Sequence, residues 1–78
     1  MVSAELIGNV IRDIRKSRGM TQEVLSGLAE LDRTHYSKIE RGQRSPTVET
    51  LFKIARALDI KPHEIIMEIE RRNDARGV

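Results

Sequence analysis

The segment Thr21-Gln22-Glu23-Val24-Leu25-Ser26-Gly27-Leu28-Ala29-Glu30-Leu31-Asp32-Arg33-Thr34-His35-Tyr36-Ser37-Lys38-Ile39-Glu40-Arg41-Gly42 holds two helix-start signals in close succession. Thr21 is a good N-cap, and Glu23 falls in the first turn, where the helix dipole favours negative charge. Val24, Leu25, Leu28 and Ala29 give the first helix an apolar face, and it ends near Ala29. Asp32 is the second start, opening a helix over about Arg33 to Arg41, with Gly42 as its stop. Glu30 to Asp32 form a very short connection, suited to two helices that cross steeply. The second helix is odd for the middle of a small bundle. Only Tyr36 and Ile39 read as inward. Four basic residues between Arg33 and Arg44 (Arg33, Lys38, Arg41 and Arg44) stand against Glu40, a local charge of +3. A core helix should be apolar, so this one is expected to present its polar face to a partner.

The flanking sequence is helical as well. Upstream, Ile7, Val10, Ile11 and Ile14 make one apolar stripe on a helix over about Ala4 to Arg18. Arg15, Lys16 and Arg18 favour its last turn, and Gly19 ends it. Downstream, Gln43-Arg44-Ser45-Pro46 is a polar loop, and Thr47 caps a helix with the stripe Val48, Leu51, Phe52, Ala55 and Leu58. Asp59 ends that helix, Ile60 turns inward, and Pro62 suits the first position of a fifth helix. Ile65, Ile66 and Ile69 form the apolar side of this last helix, with Met67 nearby. Residues 71–78 read as a polar, flexible tail. The expectation is an all-α, five-helix unit spanning residues 1–78, with its core over about 4–70.

Composition narrows the function classes. A chain of 78 residues is one small domain, whose modest core would gain from dimerisation. The formal net charge of +2 conceals the basic patch between Arg33 and Arg44. There is no cysteine, hence no disulfide framework or thiolate metal site. No apolar run approaches the ~20 residues that span a bilayer, and the N-terminus lacks the basic-then-apolar order of a signal peptide. Tyr36 and Phe52 are the only aromatics, too few for a base-stacking platform. His35 and His63 lie on different helices without ligand spacing, so no metal is expected. No nucleophile has a paired base and the glycines form no phosphate loop, so no catalytic residue, cofactor or small-molecule ligand is expected.

The steeply crossing pair reads physically as a helix-turn-helix. An α-helix fits the DNA major groove, where base edges display a distinguishable pattern of donors and acceptors. The second helix of such a pair touches bases while the first crosses the backbone. Arg33, Thr34, Ser37 and Lys38 share one helical face at i, i+1, i+4 and i+5. Arg and Lys suit guanine O6 and N7, and Thr suits a polar edge or the thymine methyl.

Thr21–Ser26, Leu31–Thr34 and Ser37–Gly42, continued by Ser45–Leu51 and Lys53–Leu58, resemble the phage-repressor (Cro/XRE-type) helix-turn-helix family. Ile11, Arg12 and Arg15 resemble its first helix. The resemblance implies a lambda-repressor-like fold and a DNA-binding transcriptional regulator in the bacterial cytoplasm, acting as a homodimer on a pseudo-palindromic operator. It implies base contacts from Arg33, Thr34 and Lys38, with Ser37 as neighbour. It implies phosphate contacts from Gln22, with Thr21 and Tyr36 beside it, and from Arg41, Arg44 and Ser45. It implies a structural ion pair between Arg15 and Glu40. Glu30 stands where the family often has glycine; a left-handed conformation there costs about 1–2 kcal/mol. Asp59 is a similar departure in a residue that tolerates the conformation better.

Leu31 to Ser37 and the small size look similar to controller proteins of restriction–modification systems. Antitoxin-type and phage-type regulators share the layout. Four other readings stand beside these. The basic residues also fit a solvated charged face. The apolar side of the last helix also fits plain core or, through Ile65, Ile66 and Ile69, a dimer interface. A module whose main partner is a protein, as in an antitoxin, needs no DNA. An amphipathic membrane-surface helix fits worst, because Glu64, Glu68 and Glu70 repel anionic lipid.

Overall fold

The computed structural model describes residues 1–76. Five helices follow one another, with no strand among those residues: α1 (Ala4–Ser17), α2 (Gln22–Leu28), α3 (Arg33–Glu40), α4 (Val48–Ala57) and α5 (Pro62–Arg76).

The helix boundaries come from local chemistry. Ser3, Thr21, Asp32 and Thr47 sit in extended backbone ahead of α1 to α4. Each side-chain oxygen accepts from the N–H three residues on, at 3.0–3.1 Å. These contacts satisfy donors that the helix itself leaves open. Before α5, Glu64 reaches back to accept from the Lys61 N–H at 2.8 Å. The ends of α1 to α4 also share one geometry. Gly19, Glu30, Gly42 and Asp59 take φ of +70°, +57°, +76° and +59°. The N–H of the following residue (Met20, Leu31, Gln43 or Ile60) then donates to a carbonyl five positions back. This closure turns Met20, Leu31 and Ile60 onto the core. Gln43 is the polar exception, in the loop that leaves α3. Glu30 does adopt the left-handed conformation that the sequence departure raised as a cost.

All five helices feed one core. Val10 and Ile11 of α1, Leu25 and Ala29 at α2, Tyr36 and Ile39 of α3, Ile54, Ala55 and Leu58 at α4, and Ile65 of α5 are fully enclosed. α1 packs against α3 and α5, while α2 meets α3 and α4. No described helix is long and apolar enough to cross a membrane.

Four details differ from the sequence expectation. Val24 and Leu28 are half-exposed, because the 7 residues of α2 bury only Leu25 and Ser26, with Ala29 enclosed at the C-cap. On α4, Val48 and Phe52 lie outside while Ile54 takes the core position. In α1, Leu6 is buried while Ile7 and Ile14 pack at the edge. The expected flexible tail over 71–78 is helical through Arg76, and residues 77–78 lie outside the described residues. The extension is tied down: Arg72 donates to Asp13 of α1 at 2.9 Å and to Glu68 at 2.6 Å.

Candidate nucleic-acid interface

α3 is built with two unlike sides. Its inner side carries Tyr36, Ile39 and Glu40, all buried. Its outer side begins with Arg33 and Thr34, both exposed, and continues with Ser37 and Lys38, both half-buried. The sequence grouped these four on one face. The structure brings them together on the side of α3 away from Ile39, with none enclosed.

The inner side is locked by a polar cluster around Glu40. Arg15 of α1 donates from Nε to Oε2 at 2.6 Å and from Nη2 to Oε1 at 3.1 Å. Its remaining Nη1 donates to the Met20 carbonyl at 2.7 Å. Gln22 of α2 donates from Nε2 to Glu40 Oε1 at 2.9 Å. The Tyr36 hydroxyl, one turn back on α3, donates to Oε2. One carboxylate thus joins three helices, and no buried side-chain polar atom among the described residues lacks a partner. Burial alone would push the Glu40 carboxyl up, but the bonds from Arg15, Tyr36 and Gln22 outweigh it and hold it below the ordinary value. Burial first, and then its bond to Glu40, pushes the Tyr36 hydroxyl well above the usual phenol range. The Glu40 hydrogen bond likewise raises Arg15.

Two glycines let α1 approach this end of α3. A Cβ on Gly8 would stand 2.4 Å from the Ile39 carbonyl oxygen and 2.6 Å from that of Glu40. A Cβ on Gly42 would stand 2.8 Å from Glu5 Cα, at a φ of +76° that side chains resist. The close seam fixes the tilt of α3 and the exit of the loop carrying Arg41, Arg44 and Ser45. All three of those residues are exposed. Among the described residues, Arg33, Lys38, Arg41 and Arg44 take part in no ion pair. The carboxylate of Asp32, next to Arg33, is instead engaged with the His35 N–H.

Two site expectations need correction. Tyr36 is fully buried, with its hydroxyl on Glu40, so it does not reach a phosphate. Ile65 and Ile69, expected at a dimer interface, belong to the protomer's own core at 0% and 6% exposure. Ile66 alone of the three is on the surface. Gln22, read as a phosphate contact, spends one amide hydrogen on Glu40, a tie the sequence reading did not include. Gly8 was passed over. A glycine inside an apolar helical stripe was the available signal, since such a residue lowers helix stability unless close packing requires it. Thr21 is occupied as a cap but remains exposed.

A sequence model of the helix-turn-helix family matches residues 11–65. The chain is 39% identical over 62 residues to control protein C.BamHI of Bacillus amyloliquefaciens, covering 78% of this chain and 76% of that one. It is 37% identical over 65 residues to control protein C.MunI of a Mycoplasma species, covering 82% and 88%. Among solved structures, the restriction-modification controller protein C.AhdI from Aeromonas hydrophila aligns with a TM-score of 0.77 at 39% identity, covering 80% of this chain and 94% of that one.

Proposed function

The chain belongs to the helix-turn-helix family of transcriptional regulators, and from that premise we propose that it is a sequence-specific double-stranded DNA-binding regulator of the controller type, working as a homodimer in the bacterial cytoplasm. α3 enters the major groove. Arg33 and Thr34 lie nearest its inserted N-terminal end and read bases, with Lys38 and Ser37 one turn on. Gln22, Thr21, Arg41, Arg44 and Ser45 hold the register on phosphates, contacts that position without specifying sequence. The observation that carries this reading is the two-sided build of α3: a polar outer face without ion-pair partners among the described residues, on a helix whose inner face is locked to α1 and α2 through Glu40.

A pseudo-palindromic operator with half-sites about 34 Å apart calls for a two-fold dimer. The exposed apolar side chains include Val48 and Phe52 on α4 and Ile66 and Met67 on α5, all 48–73% exposed, and these are the ones assigned to that contact. A chain of this size also gains core from such an association. Size-exclusion or sedimentation measurements on Ile66→Glu and Phe52→Glu variants test it, with a shift toward monomer expected.

Selection of bound duplexes from a random pool supplies the preferred sequence. On that duplex, Arg33→Ala relaxes preference at one position per half-site and weakens binding by about 1–3 kcal/mol. Arg44→Ala weakens all sequences alike and flattens the salt dependence. If the two variants behave identically, the division between base and phosphate contacts is wrong. A chain that binds no duplex at any salt would point to the protein-partner reading instead.

A further inference from the structure

On the flank of α1 that faces α3 lies an open, mostly polar hollow of about 670 Å³. Its floor is the buried Arg15–Glu40 pair, already neutralised within the fold. Its walls bring together Arg12 and Lys16 from α1, Gln22 from α2, and Arg41 with Gln43 from the end of α3. Lys16 is exposed and in no ion pair among the described residues; Arg12 has only a loose 3.7 Å approach to Asp13, with both side chains over 40% exposed. Glu5 is the one carboxylate in the hollow not already paired with Arg15, so positive charge dominates it.

Two of these wall residues, Gln22 and Arg41, are ones assigned above to phosphates. Arg12 and Lys16 therefore stand beside the proposed backbone track and not on a separate surface. They are one turn apart (i, i+4) and so share a helical face. Flexible cations around an open, wet hollow suit a phosphate diester, which needs charge and several donors but no apolar enclosure. Gln22 retains a second amide hydrogen after its bond to Glu40.

We propose that Arg12 and Lys16 of α1 extend the DNA-backbone grip, holding phosphates of the same duplex along the α1–α3 hollow. The proposal rests on the DNA-binding reading. It adds a third helix to the contact surface and predicts that affinity draws on α1 without any contribution to base choice.

The test is the double variant Arg12→Gln/Lys16→Gln, with binding to the selected duplex and to a scrambled one followed by anisotropy across a salt series. If each residue neutralises one phosphate, the slope of log affinity against log salt becomes shallower by about 1.8 for the pair, at about 0.9 per phosphate. Affinity for both duplexes should fall by the same factor. The control Arg18→Gln/Arg71→Gln removes the same charge from exposed sites that line other hollows, and it should leave the slope close to wild type. An unchanged slope in the α1 variant, with wild-type binding intact, overturns this extension alone. So does an equal effect from the control, which would make net charge the cause, or a loss confined to the selected duplex. A wild-type chain that binds neither duplex overturns the DNA-binding reading and this extension with it.

Discussion

Among the described residues, α1 carries two ionic ties to other helices, starting only two residues apart, and they live in different solvents. Arg15 reaches α3, where its side chain and that of Glu40 are 9% and 2% exposed. Asp13 reaches α5 through Arg72, at 47% and 28% exposure, and Arg72 shares Glu68 with Arg71. The lengths are alike: 2.6 Å for the first, 2.6–2.9 Å in the second. Length does not rank them. In water, the gain from an exposed pair is offset by side-chain entropy and screening. In the interior, a charge that loses its partner has no solvent to turn to. Depth of titration does not rank them either. Glu68 is the carboxyl drawn down to about 2, by Arg71 first and then Arg72, yet it is the one that water reaches. Glu40 is depressed against an opposing push from burial. The tie beneath α3 is thus the one whose loss the fold cannot absorb.

The largest expected effect comes from breaking the buried tie. Glu40→Ala strands the Arg15 guanidinium and removes the acceptor of Tyr36 and Gln22, at a cost of about 3–5 kcal/mol. That is a large part of the roughly 4–12 kcal/mol expected for a domain of this length. Urea denaturation of the variant should show a much lower midpoint, and its affinity for DNA should drop with it. The same tie carries a pH signature. The folded-state pKa of Glu40 lies below its unfolded value, so its contribution is present above the ordinary carboxylate value of 4.5 and is lost as pH falls through the depressed folded value. The stability gap between wild type and Glu40→Gln should therefore be steady near neutrality and narrow in acid. A gap that stays constant down to the acid limit would mean that the charge of Glu40 is not what holds the seam.

Next in size is Gly8→Ala, which tests whether the seam depends on closeness as well as charge. The added methyl would meet two backbone carbonyl oxygens, at 2.4 and 2.6 Å, that have no flexible way to move aside. Overpacking of this kind costs about 1–3 kcal/mol, against up to about 1 kcal/mol gained from alanine's helix propensity. The net loss in denaturant midpoint should be smaller than for Glu40→Ala. DNA affinity should suffer beyond the stability change, because α3 has to move off α1. A variant as stable as wild type with unchanged affinity would show that the seam tolerates loosening.

Much of this was readable in the residues. Thr21, Asp32 and Thr47 announce helix starts by chemistry that acts within one turn, and Gly19 and Gly42 announce stops in the same way. The polar face of α3 was visible because Arg33, Thr34, Ser37 and Lys38 violate what a central helix should be. The Arg15–Glu40 pair was legible through the family resemblance, which supplied a long-range pairing that spacing alone does not contain. What failed depended on neighbours distant in sequence. Periodicity marks an apolar stripe, but which flank a second helix covers decides whether Val24, Phe52 and Ile65 end inside or out. Tyr36 offers a hydroxyl suited to a phosphate, and only the fold shows that Glu40 claims it. The frayed tail was the natural expectation for a polar segment; its anchor, Asp13, lies 59 residues upstream.

The smallest expected effect is Arg72→Ala, which attacks the exposed tie. It removes the bond to Asp13 and one of two partners of Glu68, leaving both carboxylates in reach of water and Glu68 still paired with Arg71. The loss should stay under about 1 kcal/mol, which is at most about 4–8 °C in Tm for a domain of this size. It should fade in 1 M salt, where the Debye length is about 3 Å. The Glu40→Ala loss should persist there, since ions do not enter the buried cluster. Helicity of the last turns is the more local readout: residues beyond Ile69 should exchange amide hydrogens faster in the variant, while α3 stays protected. An Arg72→Ala loss as large as that of Glu40→Ala, and equally indifferent to salt, would mean that α5 is held through its ionic tie and not by Ile65 and Ile69, and that exposure is the wrong variable for ranking the two.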